Sequence, residues 1–223
     1  MQANTQDQIA AGRNVNAVRA TAAAFGVYAG LLGIEHGFFE TLQGNVATKG
    51  LKIMAADFEL PFPFGHEPAM TVIPNFLITG IAAMIVGAVI VVWSAGYVQS
   101  KYGALVLLLL SVALLLLGGG FGPISLLVVA CIAAAMIGSP LTWWRVYAPD
   151  TLRRFLAAIW QWSLGGALLW VPGEFAAGQI FGLKNDHRQI LTNLNMIFSY
   201  PMLALFVLTL ITGVAREAGK RWE

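Results

Sequence analysis

Six long apolar stretches dominate this sequence, and they constrain its fold more than any other feature. A helix needs about 20 predominantly apolar residues to cross the roughly 30 Å hydrocarbon core of a bilayer. Only 11% of the 223 residues are charged, against about 25% in soluble domains, which is too few to build a water-soluble surface. We therefore predict an all-α membrane protein, a bundle of six transmembrane helices forming a single domain over 1–223. The predicted spans are about 20–42, 70–98, 102–119, 123–141, 155–178 and 191–215.

The distribution of basic residues predicts the orientation of these helices. With the N-terminus inside, nine Lys and Arg residues fall in inner segments and four in outer segments, as the positive-inside rule requires. Both termini are therefore expected in the cytoplasm, and the protein is expected in the cell (inner or plasma) membrane. The polar segment 1–18 has no apolar core of a cleavable signal peptide, so the first span is expected to direct insertion.

A layer of polar side chains is expected in the outer leaflet. Counting residues from the middle of each span places its members roughly 6–10 Å outward. Ionisable side chains inside the membrane usually face protein or water and mark functional sites. We expect Glu35, His36 and Glu174 to line one cavity open to the outside. The full set of candidate ligand-binding residues is Glu35, His36, Glu40, Asn75, Glu174 and Asn195.

Small residues form a stripe along the first predicted helix. The glycines recur at short steps: Gly26, Gly30, Gly33, Gly37 and Gly44. Such stripes let helices pack closely in lipid, and they leave faces on which oligomeric or complex partners can dock. Glu40 fills the gap in the stripe, and His36 lies one turn before it on nearly the same face. We expect Gly33→Leu or Gly37→Leu to destabilise the protein more than Gly87→Leu.

The ligand types on the outer side suit a divalent metal, whereas other cofactors are disfavoured. The candidate metal ligands are His36, Glu40, His66 and Glu67, which suit zinc or a similar ion but lack a compact motif. Haem is disfavoured because His36 is the single intramembrane histidine, and retinal because no lysine lies inside a span. Gly118–Gly122 lacks the lysine and preceding strand of a nucleotide-binding loop. The net charge of +2 does not suit nucleic acid.

Four sequence strings carry a resemblance to a known family. They read GIEHGFFE at 33–40, EPAMTVIPN at 67–75, GGGFGP at 118–123 and SPLTWW at 139–144. Together they resemble an uncharacterised prokaryotic family of multi-pass membrane proteins. The resemblance implies the same fold and brings no activity, substrate or cofactor with it. The glycine-rich string is expected to form either a tight hairpin turn or a shallow re-entrant bend.

The leading functional prediction is binding or transport of a cation, a proton or a small polar solute in an outward-facing polar pocket. The inner halves of the spans carry few polar residues beyond Ser94, Gln161 and Ser163, so they are expected to act as an apolar anchor below a closed-ended pocket. Two alternatives stay open, namely a metal- or quinone-dependent membrane enzyme or redox subunit, and a non-catalytic accessory subunit of a membrane complex. The sequence leans away from an enzyme without excluding one. The lipid bilayer is the one partner that every alternative shares.

Overall fold

The computed structural model describes residues 16–55, 68–180 and 188–219, apart from the side chains at 145, 175, 177–179 and 188–199. The chain is mostly helical, at 76%, and these ranges contain seven helices and two short strands. In chain order they are α1 (Ala17–Leu42), β1 (Lys52–Met54), β2 (Pro68–Met70), α2 (Phe76–Gly96), α3 (Gly103–Leu116), α4 (Phe121–Ala135), α5 (Thr142–Tyr147), α6 (Asp150–Ile180) and α7 (Arg188–Gly219).

Four stretches of helix in the described ranges are long and apolar enough to cross a membrane. They are Ala17–Leu42, Phe76–Gly96, Asp150–Glu174 and Tyr200–Gly219. Helices α3 and α4 are also apolar, but they contain only 14 and 15 residues. At 1.5 Å per residue they are about 21 and 23 Å long, which is less than the hydrocarbon core. The chain is therefore a membrane-embedded helical protein, and six complete spans remain a prediction.

Helix α1 is the centre of the structure, and a glycine seam joins it to α2. Helix α1 packs most extensively on α2 and also contacts α4 and α7, whereas α6 pairs with α7. A Cβ atom built on Gly37 would lie 2.5 Å from the carbonyl oxygen of Gly80, and one on Gly87 would lie 2.7 Å from that of Gly30. Both distances are shorter than real Cβ contacts, so only glycine fits at these positions.

This packing corrects two expectations about the glycines. Gly87 was expected to tolerate leucine better than Gly37, but it makes an equally close backbone contact from the opposite side of the seam. Gly44 was placed in the stripe, but α1 ends at Leu42. At Gly44 the backbone has a positive φ of 84°, and an added Cβ atom would meet nothing within 4 Å. Gly44 therefore belongs to the turn after α1 rather than to a helix interface.

A small antiparallel sheet lies at the C-terminal end of α1 and adds two short strands, which the sequence analysis did not predict, to the mostly helical fold. Strand β1 pairs with β2 so that Lys52 lies opposite Met70. The Gln43 side chain, at the end of α1, donates hydrogen bonds to the carbonyl oxygens of Met54 and Ala55 at 3.0 and 2.8 Å. Each strand has three residues, which is too short to show the alternating pattern that identifies a strand in a sequence.

A second group of polar side chains is buried where the N-terminal half of α1 meets α6 and α7. Trp160 Nε1 donates to Thr21 Oγ1 at 3.0 Å, and the hydroxyls of Ser163 and Thr212 are paired at 2.9 Å. We refer to this group as the hydroxyl cluster, and its members are Thr21, Trp160, Ser163, Thr209 and Thr212. All five are buried. The region expected to be an apolar anchor therefore has a polar core of its own.

The last helix caps the first one. The Glu217 carboxylate in α7 accepts hydrogen bonds from the Ala17 backbone N–H at 3.1 Å and from Asn16 Nδ2 at 3.2 Å. Asn16 Oδ1 in turn accepts from the Arg19 N–H at 2.8 Å. The first turn of a helix has N–H groups without intrahelical partners and a partial positive charge, so a carboxylate is a favourable partner there.

Candidate functional site

The most deeply buried titratable side chains in the described ranges lie in the last two turns of α1. Glu40 is 0% exposed and His36 is 3% exposed. The two residues are four positions apart, so they lie on one face of the helix. Gly33 and Gly37 continue this side of α1 and are buried as well, which lets neighbouring segments approach the pair closely. We refer to these two side chains as the His36–Glu40 pair.

Three consecutive glycines cover the pair. The segment 118–120, which we refer to as the glycine loop, connects α3 to α4. A Cβ atom built on Gly118 would lie 2.5 Å from Glu40 Oε2, and one built on Gly120 would lie 2.5 Å from His36 Nε2. Gly118 and Gly120 also have positive φ angles, 91° and 76°. A residue with a Cβ atom would be strained in this conformation. Each of these glycines thus packs its backbone directly onto one titratable side chain.

Hydrogen bonds from β2, from the segment after it and from α2 hold the glycine loop and the two residues before it in place. The Gly118 N–H donates to the Met70 carbonyl, and the Val72 N–H donates to the Leu116 carbonyl, both at 2.9 Å. The buried Thr79 hydroxyl donates to the Leu117 carbonyl at 2.9 Å. This direct, hydrogen-bonded connection between α3 and α4 favours the tight turn over the re-entrant bend.

Among the described residues, the Glu40 carboxyl has no hydrogen-bond partner to balance a charge. Both of its oxygens are fully enclosed, and neither has a hydrogen-bond partner among the described residues. Gly118 of the glycine loop lies directly against this carboxyl. Burying an ionised carboxylate without a hydrogen bond or a counter-charge is very unfavourable. With only the described residues around it, the group would need a proton or a bound cation.

Glu35 and Glu174 belong to a different group of side chains. Glu35 is half-buried and stands about 100° around α1 from His36. The Tyr28 hydroxyl lies within electrostatic range of both Glu35 and Glu174. Trp170 Nε1 donates to Glu174 Oε1 at 2.6 Å. The structure thus brings Glu35 and Glu174 near Tyr28, and it brings His36 and Glu40 to the glycine loop.

The other expected site residues either have a structural role or lie outside the part of the chain that the structure describes. Asn75 is the N-cap of α2: its oxygen accepts from the Ile78 N–H at 3.1 Å, and its amide donates to Asn45 Oδ1 at 2.6 Å. The side chain of Asn195 lies outside the described part, as do His66 and Glu67. A single cavity shared by the whole predicted set stays a prediction.

Within the described residues, no group of three or more His, Cys, Asp and Glu side chains is placed to hold a metal ion. His36 and Glu40 supply two of the four candidate ligands, and His66 and Glu67, the other two, fall outside the described ranges. The described pair alone gives one nitrogen ligand and one carboxylate. That set is chemically suitable for zinc but incomplete, since a zinc site takes at least three protein ligands.

Sequence reasoning missed the glycine loop and Tyr28 as parts of these sites. Gly118 and Gly120 were considered only as a turn and as a rejected nucleotide-binding loop. The one available signal was the run of three glycines between two apolar stretches, because such runs mark a close approach of the backbone to something else. Nothing in the sequence connects Tyr28 to Glu174, which is 146 residues away along the chain.

Comparison with known proteins does not change this description. No protein-family model, curated protein or solved structure matches the chain. The resemblance to an uncharacterised prokaryotic membrane protein family stays a prediction.

Proposed function

We propose that this protein is an integral membrane protein that binds a small cation, either a proton or a metal ion, at the His36–Glu40 pair. The observation that carries the proposal is the Glu40 carboxyl, which is 0% exposed and has two enclosed oxygens without hydrogen-bond partners in the described part. A structural carboxyl would be expected to hold helices together through hydrogen bonds. Glu40 makes none with the described residues, and this favours a ligand.

An ionised Glu40 carboxylate at this buried position would be energetically costly. Removing an ion from water costs several kcal/mol, at least about 2.5–3.5 kcal/mol for an acidic side chain at the centre of a membrane helix. A proton or a metal ion cancels this cost locally. His36 is close enough along the helix to contribute a neutral nitrogen ligand or a proton relay, since imidazole changes its charge near neutral pH.

The glycine loop limits the size of the occupant. The contacts at Gly118 and Gly120 leave no space for a methyl group beside Glu40 or His36. A polar organic solute is far larger than a methyl group, so a proton or a dehydrated metal ion fits this location better. Access for any ligand then depends on displacement of the glycine loop from the pair.

The arrangement in the membrane is part of the same proposal. Six membrane helices with both termini inside agree with the nine-to-four distribution of basic residues, as the positive-inside rule requires. The glycine loop and the small sheet then lie on the outer side, and the protein is placed in the cell membrane. The apolar side chains of Phe25, Leu107 and Leu114 are fully buried in the core and offer no polar path inward. Binding is therefore better supported than transport.

The test compares wild type with Glu40→Gln, in which the amide keeps the shape and removes the charge. Thermal unfolding of purified protein in detergent is followed as Na⁺, Mg²⁺ or Zn²⁺ is added and, separately, as the pH is lowered. Wild type is expected to gain stability from the ion that binds, because a ligand of the folded state stabilises it. Glu40→Gln is expected to lose that gain and to unfold at the same or a higher temperature without the ion.

Asp150→Asn is the matched control, because it removes a carboxylate that is exposed on the surface. It should respond to the ions and to pH as wild type does. An unchanged response in Glu40→Gln would refute the proposal and leave the accessory-subunit alternative in its place.

A further inference from the structure

A chain of hydrogen bonds runs from the segment after β2 through α2 to the residue before the glycine loop. The Thr71 hydroxyl accepts from the Ile73 N–H at 3.1 Å and lies 2.5 Å from the Thr79 hydroxyl. The Thr79 hydroxyl in turn donates to the Leu117 carbonyl at 2.9 Å. Since a hydroxyl has one proton to donate, Thr71 is the donor to Thr79. Both threonines are buried, and we refer to them as the threonine pair.

The threonine pair connects the glycine loop to the helices that carry the candidate site. Thr79 is followed by Gly80, which packs against Gly37 of α1 in the glycine seam. Glu40 lies in the next turn of the same helix, so Thr79 and Glu40 belong to one closely packed pair of helices. Leu117, in contrast, directly precedes the glycine loop. The hydrogen bond from Thr79 to Leu117 therefore fastens the loop to the α1–α2 pair.

The glycine loop is well suited to move as a unit. Its three residues have no side chains to anchor it, and glycine adopts backbone conformations that other residues do not. A Cβ atom on Gly118 would collide with both Glu40 oxygens, so the loop lies directly over the carboxyl. Both oxygens are fully enclosed, and a reagent or a ligand therefore reaches them only after a local opening of the structure. Displacement of the glycine loop would provide that opening.

We propose that the glycine loop is a lid over the Glu40 carboxyl and that the threonine pair is the latch that holds this lid closed. The inference rests on the proposed function, because a lid matters only where a ligand reaches Glu40. Loss of the Thr79 hydroxyl leaves the Leu117 carbonyl without this donor, which weakens the closed state and makes the open state more populated. The latch thus sets how often Glu40 becomes accessible, while the carboxyl itself binds the ligand.

The experiment measures access to Glu40 in the purified full chain in detergent at one fixed pH. Dicyclohexylcarbodiimide, a lipid-soluble reagent that modifies carboxyl groups, is added, and mass spectrometry follows the modification of Glu40 and, separately, hydrogen exchange at the Gly118 N–H. Thr79→Val keeps the shape of the side chain and should accelerate both about tenfold, the factor expected for one lost hydrogen bond. The matched control is Thr209→Val, since Thr209 is equally buried and its hydroxyl bonds a carbonyl of its own helix, α7. It should leave both rates unchanged.

A reversible lock tests the lid from the opposite direction and does not depend on the stability of Thr79→Val. Thr71 and Leu117 face each other in an antiparallel bridge, and the backbone hydrogen bonds on either side of them make them a non-hydrogen-bonded pair. The Cα atoms of such a pair are about 4.5 Å apart, within the range of a disulfide. Thr71→Cys with Leu117→Cys, in a Cys131→Ala background, should modify Glu40 at least about tenfold more slowly when oxidised than when reduced.

Two results would overturn the lid. One is an equal rate of Glu40 modification in the oxidised and reduced double-cysteine protein, and the other is equal rates in Thr79→Val and Thr209→Val. Neither result depends on cation binding, because the reagent reports only access to the carboxyl. The cation response of Glu40→Gln tests the proposed function separately, so failure of the lid and failure of the cation site give different outcomes.

Discussion

The His36–Glu40 pair and the hydroxyl cluster are both buried polar groups packed on α1, but they differ in how their polar atoms are satisfied. In the hydroxyl cluster, side-chain hydrogen bonds join different helices, from Trp160 to Thr21 and between Ser163 and Thr212. In the pair, both Glu40 oxygens lack a hydrogen-bond partner among the described residues. A satisfied buried network stabilises and specifies packing, whereas an unsatisfied one is costly. The contrast separates polar residues that join helices from a buried carboxyl that, in our proposal, binds a cation.

The largest loss of stability is expected from Gly118→Ala, which tests whether the backbone of the glycine loop packs directly on the His36–Glu40 pair. The added methyl group collides with Glu40 and is strained at a φ of 91°. Together these should cost about 2–5 kcal/mol of unfolding free energy. Chemical denaturation in detergent micelles measures the cost. Gly122→Ala, two residues after the glycine loop and with open space around its Cβ position, should change little. Equal losses of unfolding free energy in Gly118→Ala and Gly122→Ala would show that the glycine loop does not pack on Glu40.

A second, smaller effect concerns the glycine seam that runs beside both regions. Gly37→Leu and Gly87→Leu should each cost about 1–3 kcal/mol or more, since each forces α1 and α2 apart. Gly165→Leu, at a position with nothing within 4 Å, serves as the control in the same unfolding assay. Only Gly37→Leu, next to His36, should also alter the response to cations. If Gly87→Leu lost no more unfolding free energy than Gly165→Leu, the close packing of α1 on α2 would be limited to the end of the seam near Gly37.

The smallest effect is expected in the hydroxyl cluster. Thr21→Val keeps the shape but leaves the Trp160 N–H buried without an acceptor, which should cost about 1–3 kcal/mol. The matched control is Thr41→Val, because the only hydrogen bond of the Thr41 hydroxyl within the described residues goes to the Phe38 carbonyl of its own helix. Calorimetric unfolding should give the same loss with and without added cation. If the loss of unfolding free energy in Thr21→Val depended on the added cation, the hydroxyl cluster and the His36–Glu40 pair would act as one functional unit, and the contrast between them would be wrong.

The sequence predicts the parts of this structure that depend on local spacing. The glycine steps of α1 predict a closely packed helix, and the four-residue spacing predicts that His36 and Glu40 share a face. The choice of Gly87 as a tolerant position fails for a physical reason. Helix packing is reciprocal, and one strip of sequence does not show which glycine of α2 lies opposite Gly30.

Other features cannot be predicted from the sequence because they depend on contacts between distant segments. Thr21, Ser163 and Thr212 are scattered singly through apolar runs, where each hydroxyl can bond its own helix. Their cross-helix pairing follows only from the way α1, α6 and α7 meet. The strands β1 and β2 are similarly too short to recognise, and the hydrogen bond from the Gly118 N–H to the Met70 carbonyl of β2 depends on the position of α3. Position along the chain predicts the faces of single helices but not which faces meet.

The cap that Glu217 places on α1 has a consequence for the order of assembly. Residues 16 and 17 bond a carboxylate that is 200 or more positions later in the chain. Contacts between such distant residues form late, because the intervening chain must first be ordered. During synthesis, the Ala17 N–H therefore waits for the end of α7 to be made before it meets the Glu217 carboxylate. Formation of this cap reports that the two distant helices have met, so it is a natural position for a probe of a late assembly step.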